Sequence, residues 1–449
     1  MTRTANTRLA LLMEEADWRA AQLARALRAI ATEQNLTLAV HPSSVRRWLE
    51  GTQPRPPLPA LLLECLSRRL GRHITAHDAG LTRAPAAVVE PSWDADPLRK
   101  LVHLTQAELD PNRRLLLGSG VFDATALAVA TPAKHTLQFT GRESSLRDGH
   151  RTGQGDVEQL RSMAAVFAAA ASRHGGQHVR AALAAYLSHE AIPLLYRPAR
   201  DTAQRDLVSA TAQLTLLLGS MCADCCHHAT AQHYHQIAAR LAADAGDTST
   251  LAIALRTRSA HAHDLGQHGA VVLRLAEQAD QHAAHARHAV RASTQIHLAV
   301  LYAHHDSRTA MAAVTRAVNL HSESNAAPGP FSRYPAAALH YQRAQALATL
   351  GDYHGAVTAL VTSLRLRDDA ERLPAALTHG RLAELRLRLG HLEAALTDWH
   401  ALLDIYPTVH SARVDQLLST AVQRLRPYQR HPMVADLLDR IADLTDSPS

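Results

Sequence analysis

Residues 347–357, LATLGDYHGAV, and residues 385–396, LRLRLGHLEAAL, decide the fold. Each places a glycine five residues ahead of a small residue, Gly351 before Ala356 and Gly390 before Ala395, with Tyr353 or Leu392 three residues ahead. A glycine there suits the turn between two helices, which needs left-handed backbone. The alanine lets the helices cross closely, and Tyr353 and Leu392 pack into the groove beside it. Pro407 follows Ala395 by twelve residues, where the second helix must stop.

Small residues at Ala231, Ala270 and Ala310 extend the series, so the five alanines are spaced by 39, 40, 46 and 39 residues. Apolar residues within each unit keep helical spacing without strand-like alternation, and a period of this length marks stacked helical hairpins. The array runs from about Thr202 to Thr445. It resembles the tetratricopeptide repeat, chiefly in the units at Ala356 and Ala395, with units a few residues longer than that family's. The resemblance implies an all-α, right-handed solenoid; a generic helical-hairpin solenoid fits the same spacing.

Composition agrees with this reading. The chain has 449 residues, 47% hydrophobic but only 4% aromatic, a mix that favours close-packed helices over sheets and is too long for one core. Residues 1–90 hold 12 arginines and 8 acidic residues, so 12 − 8 = +4 of the net charge of +6 lies in the first fifth of the chain. A basic terminal domain on a near-neutral body suits a polyanionic partner. No apolar run approaches a membrane span, no signal-peptide pattern is visible, and Cys65, Cys222, Cys225 and Cys226 fit a reducing compartment. The expected location is cytoplasmic and nucleoid-associated.

Working back to the amino terminus, residues 6–16 and 18–33 read as two amphipathic helices, followed after a polar interval by SSVRRWLEGTQPRP at 43–56. Ser43 or Ser44 can cap a short helix in which Val45 and Trp48 point inward, and Gly51 ends it. Ser43, Ser44, Arg46, Arg47 and Glu50 are left facing out, a pattern suited to a DNA major groove. The stretch resembles the recognition helix of the lambda-repressor-like (Xre-type) helix-turn-helix family through Ser44, Val45, Trp48, Gly51, Arg55 and Pro56, and the likeness covers about residues 6–81. It implies that Ser43 and Arg47 face bases while His41, Ser44, Arg46 and Arg55 lie near the DNA backbone. About fifteen residues separate the two helices of the motif where that family spends a few. The plain alternative is a helical oligomerisation domain with Arg46 and Arg47 on a solvated face.

The expected domains are 1–81, helix-turn-helix; 82–97, linker; 98–201, helical connecting segment; and 202–449, repeat domain. GHRTGQGD at 149–156 lacks the preceding strand and following Lys-Ser/Thr of a phosphate loop, and Asp156 as a helix N-cap accounts for it better. Residues 156–196 read as two helices joined at Gly175-Gly176. This string resembles the segment that follows the DNA-binding domain in actinobacterial helix-turn-helix regulators with tetratricopeptide tails.

Cys222, Cys225 and Cys226 with His227 and His228 have a metal-site look. On a continuous helix Cys222 and Cys226 share a face while the histidines rotate away, so no metal ligand set is assigned and structural cysteine is the favoured reading. His282, His285 and His288, read as one helix at i, i+3 and i+6, form an exposed polar face with at most weak chelation. No catalytic motif or cofactor fingerprint is present, so an enzyme is not expected and no cofactor is assigned.

Helical geometry places Ser220, Asp224, Ser259, His263, Gln295, Tyr302, Tyr341, Gln345, Glu384 and Arg388 on the concave face of the array. That lining suits a peptide, a small polar molecule or a protein partner. The resemblances together imply an operator-binding transcriptional regulator that works as a homodimer and senses an effector through its repeats. The competing reading is a repeat scaffold without DNA binding, and a third is a metal- or redox-responsive regulator.

Overall fold

The computed structural model describes residues 5–33, 38–55, 58–70, 74, 78–81, 96–110, 122–128, 152–324, 331 and 333–446, and among these it is helical, with no strand. The first four helices are α1 (Thr7–Glu15), α2 (Ala20–Glu33), α3 (Pro42–Leu49) and α4 (Leu58–Leu70). They enclose their own core, in which Leu9, Leu23, Leu27, Val45, Trp48, Leu61, Leu62, Leu66 and Ile74 are buried. Asn6 starts the domain: its side chain accepts from the Leu9 N–H at 3.0 Å, and its amide donates to the Ala79 carbonyl at 2.9 Å. One side chain thus caps α1 and ties it to the domain's far end.

The expected linker falls mostly outside the described residues; its last two, Asp96 and Pro97, instead open α5 (Pro97–Leu109), with the Asp96 carboxylate capping Leu98. Next come a 3₁₀ turn (Ala124–Ala128), α6 (Gln154–His174) and α7 (Gly176–Tyr186), which continues through a π turn (Leu187–Ala191) into Ile192–Leu195. The helix expected from Asp156 begins two residues earlier. Gly153 is its N-cap, and the Asp156 carboxylate reaches back from the first turn to accept the Gly153 N–H at 2.8 Å. Residues 98–201 are more than a connector, because Val157, Leu160, Leu183 and Leu187 share one continuous core with the helices that follow.

Six hairpins follow among the described residues: α8 (Asp201–Asp224) with α9 (His228–Ala245), α10 (Thr248–Asp264) with α11 (Ala270–Ala283), and α12 (His288–Tyr302) with α13 (Ser307–Ser322). Then follow α14 (Ala336–Thr349) with α15 (Tyr353–Arg365), α16 (Arg372–Arg388) with α17 (Leu392–Ile405), and α18 (Ala412–Leu425) with α19 (Pro432–Asp446). Gly351 and Gly390 adopt φ of +87° and +81° at their turns, and α17 gives way to a 3₁₀ turn holding Pro407. Ala231, Ala310, Ala356 and Ala395 are fully buried. Ala270 is not: it is the exposed first residue of α11, and Val272 is the buried one. The cause is the turn, which spends residues 265–269 where the hairpins bearing Ala231, Ala310, Ala356 and Ala395 spend three or four residues, displacing the register.

The helix α8 is long and apolar enough by length and composition to cross a bilayer, contrary to the expectation that no such run exists, yet 72% of its apolar window is buried inside the protein. It is a core helix. The array then closes on itself. The Gly175 turn between α6 and α7 meets the strand-like approach to α18, with His410 N–H donating to the His174 carbonyl at 2.8 Å and Gln177 N–H to the His410 carbonyl at 3.3 Å. A Cβ on Gly175, which has φ +88°, would lie 2.2 Å from the His410 oxygen, so only glycine admits this contact.

Candidate functional site

The amino-terminal candidate surface is built by α3. Pro42 occupies its first turn with His41 as N-cap, and no side chain caps it. The expected Ser43 or Ser44 cap is corrected, because proline's fixed φ and missing N–H suit the first helical position and move the start upstream. At the other end Gly51 has φ +97°, its N–H donates to the Trp48 carbonyl at 3.1 Å, and Thr52 N–H donates to Arg47 at 2.9 Å. This paired closure holds the helix to barely two turns. Val45 and Trp48 are buried, whereas His41, Ser43, Arg46, Arg47, Glu50 and Arg55 are exposed and Ser44 is half-buried. Arg47 Nη2 lies 3.4 Å from Ser44 Oγ, leaving its guanidinium at the surface. Pro56 lies outside the described residues.

The ten residues expected on the concave face separate into two groups. Ser220 and Arg388 are exposed, and His263, Gln295, Tyr302, Tyr341 and Gln345 are half-buried. Several of these already have partners: Gln295 donates to Asp280 at 2.8 Å and accepts from Arg316 at 2.9 Å, Tyr302 donates to Glu277 at 3.2 Å, and the Arg388 guanidinium lies 4.4 Å over the Tyr353 ring. Asp224, Ser259 and Glu384 are buried, which corrects their placement on an open face. The Ser259 hydroxyl donates to the Val272 carbonyl at 2.9 Å and meets His297 Nε2 at 2.9 Å, fixing α10 against α11 and α12. Glu384 accepts from Arg381 at 3.0 Å.

Asp224 is the centre of the closure. Its carboxylate accepts from Gly176 N–H at 2.8 Å and from Ser411 Oγ–H at 2.6 Å, joining the ends of α7, α8 and α18. Burial raises its pKa, against the opposing pull of Arg413, Ser411 and Gly176. Arg413 sits on the same seam: burial lowers its pKa, but Asp264, Asp224, Tyr341 and Cys226 more than offset this and hold it above its ordinary value. Beside it lies a cleft of about 350 Å³ lined by Ala223, His228, His261, Asp264, Arg413 and Gln416. His228 Nδ1 and His261 Nε2 are 3.1 Å apart, and burial first, then His235, His228 and Arg413, pushes the His261 pKa well down. The paired imidazoles beside the Arg413 guanidinium can hold an anionic or amide group. Sequence reasoning missed Arg413 and His261 because they lie about 150 residues apart and only the closure unites them.

The cysteines do not converge. The helix ends at Asp224 and Cys226 has φ +58°, so Cys222 bonds Glu108 at 3.8 Å while Cys226 bonds Gln416 at 4.0 Å. Burial, followed by Glu108, raises the Cys222 thiol well above its usual value, and burial pushes Cys225 to about 12, so both are protonated thiols. Arg180, 3.7 Å from Glu108 and bonded to His227, completes this buried group. His282, His285 and His288 do not share a helix, because α11 stops at Ala283 and α12 begins at His288. Three other histidines, His263, His268 and His304, do meet, with donor nitrogens all within 4.8 Å of one another.

Residues 9–82 match the family model of the SP15 N-terminal domain, a description different from the helix-turn-helix family that the same segment resembles. No curated protein matches the chain. A chain in the crystal structure of the APC/C hetero-tetramer Cut9-Hcn1 is similar at 16% identity, covering 92% of this chain and 73% of that one, with a TM-score of 0.32.

Proposed function

We propose that this chain is a helical-repeat interaction protein whose hairpins α8–α19 hold a protein or peptide partner. The observation that carries this reading is the set of half-buried or exposed polar and aromatic side chains along the first helices of successive hairpins, Gln295, Tyr302, Tyr341, Gln345 and Arg388, above the buried cores of those hairpins. Stacked hairpins present such side chains from successive first helices on one face, which suits an extended ligand. The closure limits how it responds. A partner that changed the curvature would have to break the His174–His410, Gln177–His410 and Ser411–Asp224 bonds, so binding to a preformed surface is favoured over bending of the array.

A second reading, that the amino-terminal domain docks on operator DNA, is favoured by one specific observation. Ser43, Arg46 and Arg47 project from a short, rigidly closed helix and are exposed among the described residues. In this reading the protein is a transcriptional regulator of the helix-turn-helix kind, acting in the cytoplasm. An eight-residue helix touches few base pairs, so two copies would bind half-sites roughly 34 Å apart, as a homodimer.

One set of variants separates the two readings. Replacing Arg46 and Arg47 by Ala should lower affinity for a selected duplex by about 1–3 kcal/mol per residue and reduce its salt dependence, leaving partner capture intact. Tyr341→Ala with Arg388→Glu should do the reverse. If the full chain shows no preference in a random-duplex selection, the DNA reading falls and the interaction reading stands alone; if the array variant captures the same partner equally well, the interaction reading falls.

A further inference from the structure

We propose that His263, His268 and His304 bind a single divalent transition-metal ion of the zinc class. The three residues come from two neighbouring turns of the array. His263 is the next-to-last residue of α10, His268 lies in the turn between α10 and α11, and His304 lies in the turn between α12 and α13. The His263 and His304 Nε2 atoms are 3.1 Å apart, and all three donors lie within 4.8 Å of one another. Two imidazole nitrogens bound tetrahedrally at 2.0–2.1 Å from zinc are separated by roughly 3.3 Å, so small ring rotations complete the geometry.

Three further features fit a ligand set better than a solvated surface. The rings stand face to face and edge to face, with His268 and His304 centroids 4.2 Å apart and His263 and His268 4.9 Å apart. The five-residue turn at 265–269, which displaces the α11 register, is also what carries His268 round to meet His304. The Asp264 carboxylate lies 3.8 Å from His263 Nδ1, beyond hydrogen-bond length, and places a negative charge beside the three rings that favours a bound cation.

A site of three imidazole nitrogens without a thiolate selects zinc, copper or nickel over magnesium or calcium. His268 and His304 are exposed, so the fourth position opens to solvent, available to water or to a donor from a bound partner. Occupancy would tie two successive hairpins together beside Asp264, which also lines the Arg413 cleft.

The test uses the full chain without an affinity tag, stripped with a chelator and titrated with Co²⁺ and Zn²⁺. One equivalent should bind, Co²⁺ should give the strong visible absorption of low-coordinate cobalt, and Zn²⁺ should raise the unfolding temperature. His268→Ala and His304→Ala should each weaken binding at least tenfold with an unchanged circular dichroism spectrum, whereas His285→Ala, an exposed histidine outside the cluster, should leave it unchanged. Absence of binding by the intact chain, or equal weakening by His285→Ala, overturns the site.

Discussion

The hairpin α8–α9 and the hairpins α14–α17 obey the same packing rules but differ in how much solvent they see. In α15 only Ala356, Ala359, Leu360 and Ser363 are buried, one stripe on an otherwise accessible helix. In α9, 15 of the 18 residues are buried, among them His228, Thr230, Gln232, His235, Gln236 and Arg240. Two of these polar groups find partners far along the chain: Gln232 exchanges bonds of 2.8 and 2.6 Å with the Asp123 backbone, and His228 meets His261. A helix with a solvent face must write its packing as periodicity. An enclosed helix need not, since any side chain that satisfies its neighbours serves.

Acid gives the largest expected contrast between the two regions. Burial first, then charged neighbours, lowers the pKa of His227 and His233 to about 4 and that of His235 to about 3. Folded values below the unfolded 6.5 mean that the unfolded chain takes up more protons as pH falls. The stability these rings contribute is therefore present above pH 6.5 and is lost progressively down to about pH 4 for His227 and His233 and about pH 3 for His235. Between pH 7 and 5 the loss should be on the order of 5 kcal/mol for the three together. Limited proteolysis should cut within α9–α10 at pH 5 before it cuts α14–α17; simultaneous cleavage would break the comparison.

A pair of glycines sharpens it at intermediate size. Gly175 and Gly351 have nearly the same φ, +88° and +87°, but an added Cβ meets the His410 carbonyl at the first and nothing within 4 Å at the second. Gly351→Ala should cost about 1 kcal/mol from backbone strain alone. Gly175→Ala should cost about 2–4 kcal/mol and loosen the closure, because backbone atoms cannot move aside as a flexible side chain would. Thermal unfolding of both variants measures the difference, and equal costs would mean that the closure contributes nothing.

The smallest contrast tests the register. Ala356→Leu overfills a helix crossing and should destabilise by about 1–3 kcal/mol, whereas Ala270→Leu adds an exposed side chain and should stay within about 0.5 kcal/mol. A similar loss at both positions, measured by urea denaturation, would restore the uniform spacing that the alanines suggest.

Much of the fold was legible. Gly351, Gly390 and Pro407 marked turns and stops, Gly175 and Gly176 marked the α6–α7 joint, and Val45 and Trp48 marked the buried side of α3, because each reports a local backbone or burial requirement. The lengthened turn before Ala270 was not legible, since a shift of one or two residues preserves helical spacing on either side. Nor were Asp224 and Ser259 as buried partners. Their outward position follows from a single helix, and what covers them comes from Ser411 and His297.

By itself, then, the sequence determined an all-helical chain of stacked hairpins behind a small domain with two arginines on a short exposed helix, because periodicity, glycine turns and capping act over a few residues. Only the tertiary structure decided that the array closes through Gly175, Asp224 and Ser411, that Arg413 meets His261 across a cleft, and that three histidines from separate turns converge. Those contacts join positions up to 236 residues apart, from His174 to His410, and no local rule of backbone geometry or burial carries information over that distance.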